Sequence, residues 1–153
     1  MSVNVGDVAP DFELRDQARE PMTLSSIRSA KNTVIVFYPG AFTRTCSVEL
    51  CALRDDLSEF QNDSNQLLAI SVDSTPVHRA WASQEGFTYP LLSDFWPHGD
   101  VARRYGVFDE ETGQAQRATF IVDREGIVRW KVVSGRSDPR NPGDYQRILA
   151  SLA

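Results

Sequence analysis

Two apolar runs bracket a helical stripe early in this chain, and that arrangement constrains the fold more than any other feature. Thr33-Val-Ile-Val-Phe-Tyr38 and Leu67-Leu-Ala-Ile-Ser-Val72 show no polar alternation, the pattern of strands buried on both faces. Between them Cys46, Leu50, Leu53, Leu57 and Phe60 recur at steps of three and four within residues 43–61, which marks one face of a helix. Strand, helix, strand in this order predicts a βαβ unit with a parallel pair and a right-handed crossover.

The remaining elements extend that unit. Residues 75–84 predict a second helix with Pro76 in its first turn, and residues 100–105 a short third one. Thr119–Val122 and Ile127–Val133 flank the turn Asp123-Arg-Glu-Gly126, a hairpin signal, and a last helix follows Asn141-Pro142. The fold class is therefore α/β, a central mixed β-sheet with helices on both faces, close to a thioredoxin-like layout. With 153 residues and no repeat, low-complexity segment or Gly/Ser-rich linker, residues 1–153 read as a single domain.

Charge and termini exclude several classes of partner. A net charge of −5 argues against a nucleic-acid or anionic-membrane surface, which needs a basic patch. The N-terminus MSVNVGDVAPDFELRD lacks the basic and apolar regions of a signal peptide, and no apolar run approaches the roughly 18 residues of a membrane span. The expected location is the cytoplasm, where thiols stay reduced. A cysteine pair there points to catalysis or metal binding rather than to a structural staple.

Both cysteines fall in one stretch, Phe37 to Cys51, "FYPGAFTRTCSVELC". If Cys46 lies in the first turn of the predicted helix, its sulfur meets unpaired backbone N–H groups and the positive end of the helix dipole, which favour thiolate. The Thr43 hydroxyl can reach the same spot as a capping residue does. Pro39 ends the strand, donates no hydrogen bond and shapes a wall. A helix end contributes only about 0.3–1 kcal/mol, so a cation is expected as well. Arg117, which opens the segment Arg-Ala-Thr-Phe, is the candidate.

Other chemistries find no support. Cys46, Cys51, His78 and His98 match no zinc spacing. There is no Gly-x-Ser-x-Gly elbow, P-loop or Gly-x-Gly-x-x-Gly, so neither metal nor cofactor is expected. Trp81 and His98 read as structural.

Pro39, Thr43 and Cys46 satisfy P-x-x-x-T-x-x-C within an F-Y-P-x-x-F-T-x-x-C frame, and Arg117 stands in "RATF". The chain thereby resembles the peroxiredoxins along essentially its whole length, including "VGDVAPDFEL", "SVDS" and "FIVDREGIVRW". "WASQEGFTYPLLSDFWPHG" and "YGVF" are most similar to the alkyl hydroperoxide reductase E branch. The resemblance implies a thiol-dependent peroxidase acting on hydrogen peroxide, organic hydroperoxides or peroxynitrite. Cys46 would attack the terminal peroxide oxygen and become a sulfenic acid. Thr43, Arg117 and the Cys46 backbone N–H would hold the peroxide oxygens, Pro39 would shield them, and Glu49, one turn after Cys46, would orient Arg117 at the substrate site. It also implies a homodimer and a reductant of thioredoxin, mycoredoxin or low-molecular-weight thiol type.

Cys51 departs from that branch, in which a one-cysteine cycle is usual. "CSVELCALRD" instead resembles the Q-type (bacterioferritin-comigratory) branch, where C-x4-C implies that Cys51 resolves Cys46 as an intramolecular disulfide. On an intact helix the two Cα atoms lie about 8.6 Å apart, beyond the roughly 7 Å limit for a disulfide, so the helix must unwind first. Two alternatives stay open: a one-cysteine cycle resolved by an external thiol, and a peroxide sensor or binding module.

Overall fold

The computed structural model describes residues 2–153. Its centre is the expected unit: β3 (Asn32–Phe37), α2 (Arg44–Asp55) and β4 (Asn65–Ser71), with β3 and β4 parallel from Asn32↔Asn65 to Phe37↔Ile70. A second crossover follows through α3 (Thr75–Glu85) to β5 (Leu91–Ser93), parallel to β4. Gly86 closes α3 in the left-handed conformation, φ 74°, where a side chain would be strained.

The hairpin is β8 (Arg117–Val122) with β9 (Val128–Ser134). The Asp123 carboxylate closes its turn by accepting from the N–H groups of Glu125 at 2.9 Å and Ile127 at 3.0 Å. The last helix, α5 (Pro142–Ser151), is capped as expected, Asn141 accepting from the Gly143 N–H at 2.9 Å.

The observed helix differs from the predicted span of 43–61. Asp56 leaves helical geometry (φ −120°, ψ 37°), and a single 3-10 turn at Leu57–Glu59 follows. The apolar period survives the break, since Leu57 and Phe60 still face the core shared with Leu50 and Leu53. Three-residue strands β1 (Glu13–Arg15) and β2 (Pro21–Thr23), the five-residue helix α1 (Leu24–Arg28) and the ribbon of β6 (Phe108–Asp109) with β7 (Gln114–Ala115) carry too few residues for a periodicity to register. The short helix α4 (Asp100–Arg104) lies where it is expected.

The main sheet runs β2-β1-β5-β4-β3-β8-β9. Along β3 and its next residue, Val34, Val36 and Tyr38 pack with α2, α3 and α5, whereas Ile35 and Phe37 pack with α1 and α4 on the opposite face. Successive side chains of a strand point to opposite faces, so one buried strand serves two cores. This is the mixed sheet, helix-covered on both faces, of the thioredoxin-like fold. Among the described residues no helix is long and apolar enough to cross a membrane.

Candidate active site

The site forms where β3 ends and α2 begins. Pro39 and Gly40 are buried just past the strand, and Thr43 precedes the first residue of α2. Cys46 lies in the first turn of that helix, fully buried. A cavity of about 160 Å³ lies beside this turn, lined by Pro39, Thr43, Arg44, Thr45, Gln114, Arg117 and Arg136; Cys46 itself is not part of the lining.

Strand pairing brings Arg117 there from far along the chain. β8 runs antiparallel to β3 with Ala118 opposite Phe37, so Arg117 stands one step beyond, at the C-terminal edge of β3. Its Nη1 donates to the Cys46 sulfur at 3.4 Å and to Glu49 Oε1. Nε and Nη2 donate to the Arg136 carbonyl at 3.2 and 2.7 Å, which fixes the plane of the guanidinium. Burial works against the Arg117 charge, yet the Cys46 sulfur and the Glu49 carboxylate more than offset it and raise its pKa.

Glu49 is only 5% exposed, and the structure pairs it with a residue that the sequence did not single out. Arg140, in the loop before α5, donates to Glu49 Oε2 from its backbone N–H at 2.7 Å and from Nε at 2.8 Å, and to Oε1 from Nη2 at 2.8 Å. Its Nη1 donates to the Phe37 carbonyl at 2.7 Å and to Thr119 Oγ1 at 3.1 Å. Burial alone would raise the Glu49 pKa; the hydrogen bonds and charge of Arg140, with the charge of Arg117, lower it instead. Two guanidiniums around one carboxylate leave one surplus positive charge, and the Cys46 sulfur faces it.

Thr43 corrects one expectation. Its hydroxyl makes no capping bond to α2 but donates to the Gly40 carbonyl at 2.7 Å. That bond uses the hydroxyl proton, so the oxygen's lone pairs remain for the cavity.

Cys51 lies outside this pocket, one helical turn and more beyond Cys46, and is not at disulfide distance from it. Its half-buried thiol donates to Glu85 Oε2 at 3.5 Å. Burial raises its pKa, Arg54 opposes that, and Glu85 adds to it.

Trp81 is buried against Tyr38 and Phe87, and His98 bonds the Gly113 carbonyl at 2.6 Å outside the pocket. Among the described residues no group of three or more His, Cys, Asp or Glu is placed to hold a metal ion. Besides Arg140, sequence reasoning missed Arg136 and Gln114. All three sit in polar loops or short ribbons, where the chain around them carries no periodic signal.

Residues 5–131 match the protein-family model described as the AhpC/TSA family. The chain is 52% identical over 150 residues to alkyl hydroperoxide reductase E of Mycobacterium tuberculosis, an alignment covering 98% of each chain. It superposes on the solved structure of peroxidoxin BcpB from the same organism with a TM-score of 0.83 and 32% identity, covering 98% of this chain and 96% of that one. Reduced 2-Cys peroxiredoxin of Plasmodium vivax gives a TM-score of 0.85 at 28% identity, covering 95% of this chain and 80% of that one.

Proposed function

This chain belongs to the AhpC/TSA family and is a peroxiredoxin, a thiol-dependent peroxidase, and from that premise we propose that Cys46 is the residue that reacts with peroxide. The observation that carries the reading is Arg117 Nη1 at 3.4 Å from the Cys46 sulfur, beside a cavity walled by Pro39 and Thr43. The Cys46 thiolate attacks the terminal oxygen of hydrogen peroxide or an organic hydroperoxide, peroxynitrite being a third substrate of the same form. The S–O bond forms, the O–O bond breaks, and Cys46 becomes a sulfenic acid; the leaving group is hydroxide or alkoxide, which takes up a proton, or nitrite in the case of peroxynitrous acid.

In this mechanism Arg117 stabilises the charge that passes to the leaving oxygen. Thr43, its proton held by Gly40, accepts from the hydroperoxide O–H. Pro39 keeps competing donors away from the sulfur. Glu49 holds Arg117 in place rather than touching the peroxide. A single domain over residues 1–153, acting as a cytoplasmic homodimer, is the form proposed for the enzyme.

Cys51 is proposed to resolve the sulfenic acid: its sulfur attacks Cys46, the S–S bond forms and water leaves. A thiol reductant of thioredoxin, mycoredoxin or low-molecular-weight type then returns both thiols. Because both cysteines lie on α2, this path requires its first turns to unwind. The Glu85 bond and raised pKa of Cys51 favour a second reading, in which an external thiol attacks Cys46 directly.

Intact mass after one equivalent of hydrogen peroxide, quenched within seconds, separates these cases. A loss of about two mass units identifies the intramolecular disulfide. A gain of about sixteen, trapped by a sulfenic-acid reagent, identifies the one-cysteine cycle. No change over minutes refutes the peroxidase role of Cys46. Turnover with excess reductant sets an enzyme, which consumes many equivalents of peroxide, apart from a sensor that consumes about one.

A further inference from the structure

The segment that carries Pro39 and Thr43 is held from behind by side chains that no step above employs. Asp73 follows β4 in the loop before α3, and its Oδ2 accepts from the Ala41 N–H at 2.8 Å and from the Ser71 hydroxyl at 2.6 Å. Ser71 Oγ in turn lies 2.8 Å from His78 Nε2, and the same nitrogen lies 2.8 Å from the Tyr38 hydroxyl. Ser71, His78 and Tyr38 are fully buried. Asp73 is itself anchored, since the Ser93 hydroxyl donates to its carbonyl at 2.6 Å.

The chain of contacts therefore grips the 38–43 segment at two points, the Tyr38 side chain and the Ala41 backbone. Between Ala41 and Thr43 stands Phe42 at φ 63°, a conformation sparsely populated by bulky residues. Its ring packs on Trp81 of α3, with centroids 6.1 Å apart. A segment in an unfavoured backbone conformation keeps it only where its surroundings impose it, and here a charge-assisted hydrogen bond sits on the adjacent residue. Burial lowers the His78 pKa to about 4 against the pull of Asp73, so at neutral pH the ring is an uncharged link in this chain.

We propose that Asp73 is a positioning residue of this peroxidase: by pinning the Ala41 N–H, its carboxylate fixes the segment that places Pro39 and Thr43 over Cys46. The proposal rests on the assignment of Cys46 and Thr43 above. It distinguishes peroxide, which must meet Thr43 and Pro39 in register, from a simple alkylating agent, which needs only the sulfur.

The test compares wild type, Asp73→Ala and Asp73→Asn in three readouts: the second-order rate of Cys46 oxidation by peroxide, the rate of Cys46 alkylation by iodoacetamide read by peptide mass, and amide hydrogen exchange over residues 39–43. Misplacement of a reacting group by about 1 Å costs on the order of 100-fold, so Asp73→Ala is expected to lose about 10- to 100-fold with peroxide and little with iodoacetamide. Asp73→Asn keeps an oxygen for both donors and recovers most of the rate. In the wild type, the Ala41 amide exchanges more slowly than those of Phe42 and Thr43, and Asp73→Ala removes that protection. An unchanged peroxide rate in Asp73→Ala, or equal losses in both reactions, overturns the proposal. So does an unprotected Ala41 amide in the wild type, a result that needs no folded variant. Wild-type protein whose Cys46 resists peroxide overturns the peroxidase reading instead, and is told apart because the wild type then fails before any variant is compared.

Discussion

Glu49 and Arg140 meet through three hydrogen bonds of 2.7–2.8 Å, and neither residue is more than 7% exposed. One bond comes from the Arg140 backbone, so the pairing fixes the path of the loop before α5 as well as the carboxylate. Glu49 also accepts from Arg117, which reaches the Cys46 sulfur. The order of contact runs from the loop to the carboxylate, then to the guanidinium and the thiol.

Arg140→Ala is expected to destabilise the fold by about 1–3 kcal/mol, because it takes two hydrogen bonds and one of two neighbouring positive charges from a buried carboxylate that keeps Arg117. Urea unfolding measures this. The double variant Glu49→Gln/Arg140→Ala should recover part of the loss, and a double variant no more stable than the single one would show that the cost lies elsewhere.

Arg117→Lys keeps the charge and loses the fork. A lysine's three donors radiate from one nitrogen, so it cannot reproduce the bonds that Arg117 makes from three separate nitrogens to Cys46, Glu49 and the Arg136 carbonyl. Loss of one preorganised donor at such a site costs about 10²–10³-fold, and stopped-flow oxidation of Cys46 should show a fall of that order. A fall of less than a few-fold would mean that charge alone suffices.

The pH dependence of stability should carry the mark of His78. Its folded pKa is lowered to about 4, burial being the main cause, against about 6.5 unfolded. Between these values the unfolded chain binds more protons, so this contribution is complete above about 6.5 and is lost as pH falls toward 4. The depressed Glu49 pKa acts in the same direction but lower: its contribution is present above the unfolded value of about 4.3 and lost as pH falls through the folded one. Unfolding free energies measured from pH 7 to 4 should fall more steeply for the wild type than for His78→Gln. Equal slopes would reject the assignment.

Glu85→Gln should make Cys51 a better nucleophile at neutral pH. Burial is the first reason its pKa is raised, and the Glu85 charge and hydrogen bond add to it. Removing that charge moves the midpoint of Cys51 alkylation to lower pH, and should speed any disulfide with Cys46 once α2 opens. An unmoved midpoint would leave burial as the whole cause.

The βαβ unit was legible because its signal is local: unbroken apolar strands and a stripe at steps of three and four can be read without knowing what they pack against. The hairpin and the last helix were legible from turn and cap chemistry at Asp123–Gly126 and Asn141–Pro142. The end of α2 at Asp55 was not, since the apolar period continues through Leu57 and Phe60 while the backbone changes course. Strands of two or three residues were missed because so few positions show no period.

For the site, local pattern was enough to place Cys46 in the first turn of a helix with Thr43 and Pro39 shortly before it, because all three lie within eight consecutive positions. Arg117 was found through its motif, but its approach to the sulfur depends on the register of β8 against β3. Arg140 had no signal at all, and Asp73 stood in the quoted segment "SVDS" with nothing to say what it binds. Each acts through a hydrogen bond to a residue 91 or 32 positions away, and such a bond exists only once the sheet has brought the end of β3 beside the end of β4 and the start of β8. The position of Cys46 follows from local sequence, whereas its partners are gathered only by the folded sheet, since a buried ion pair or a pinned amide requires both partners to be desolvated together.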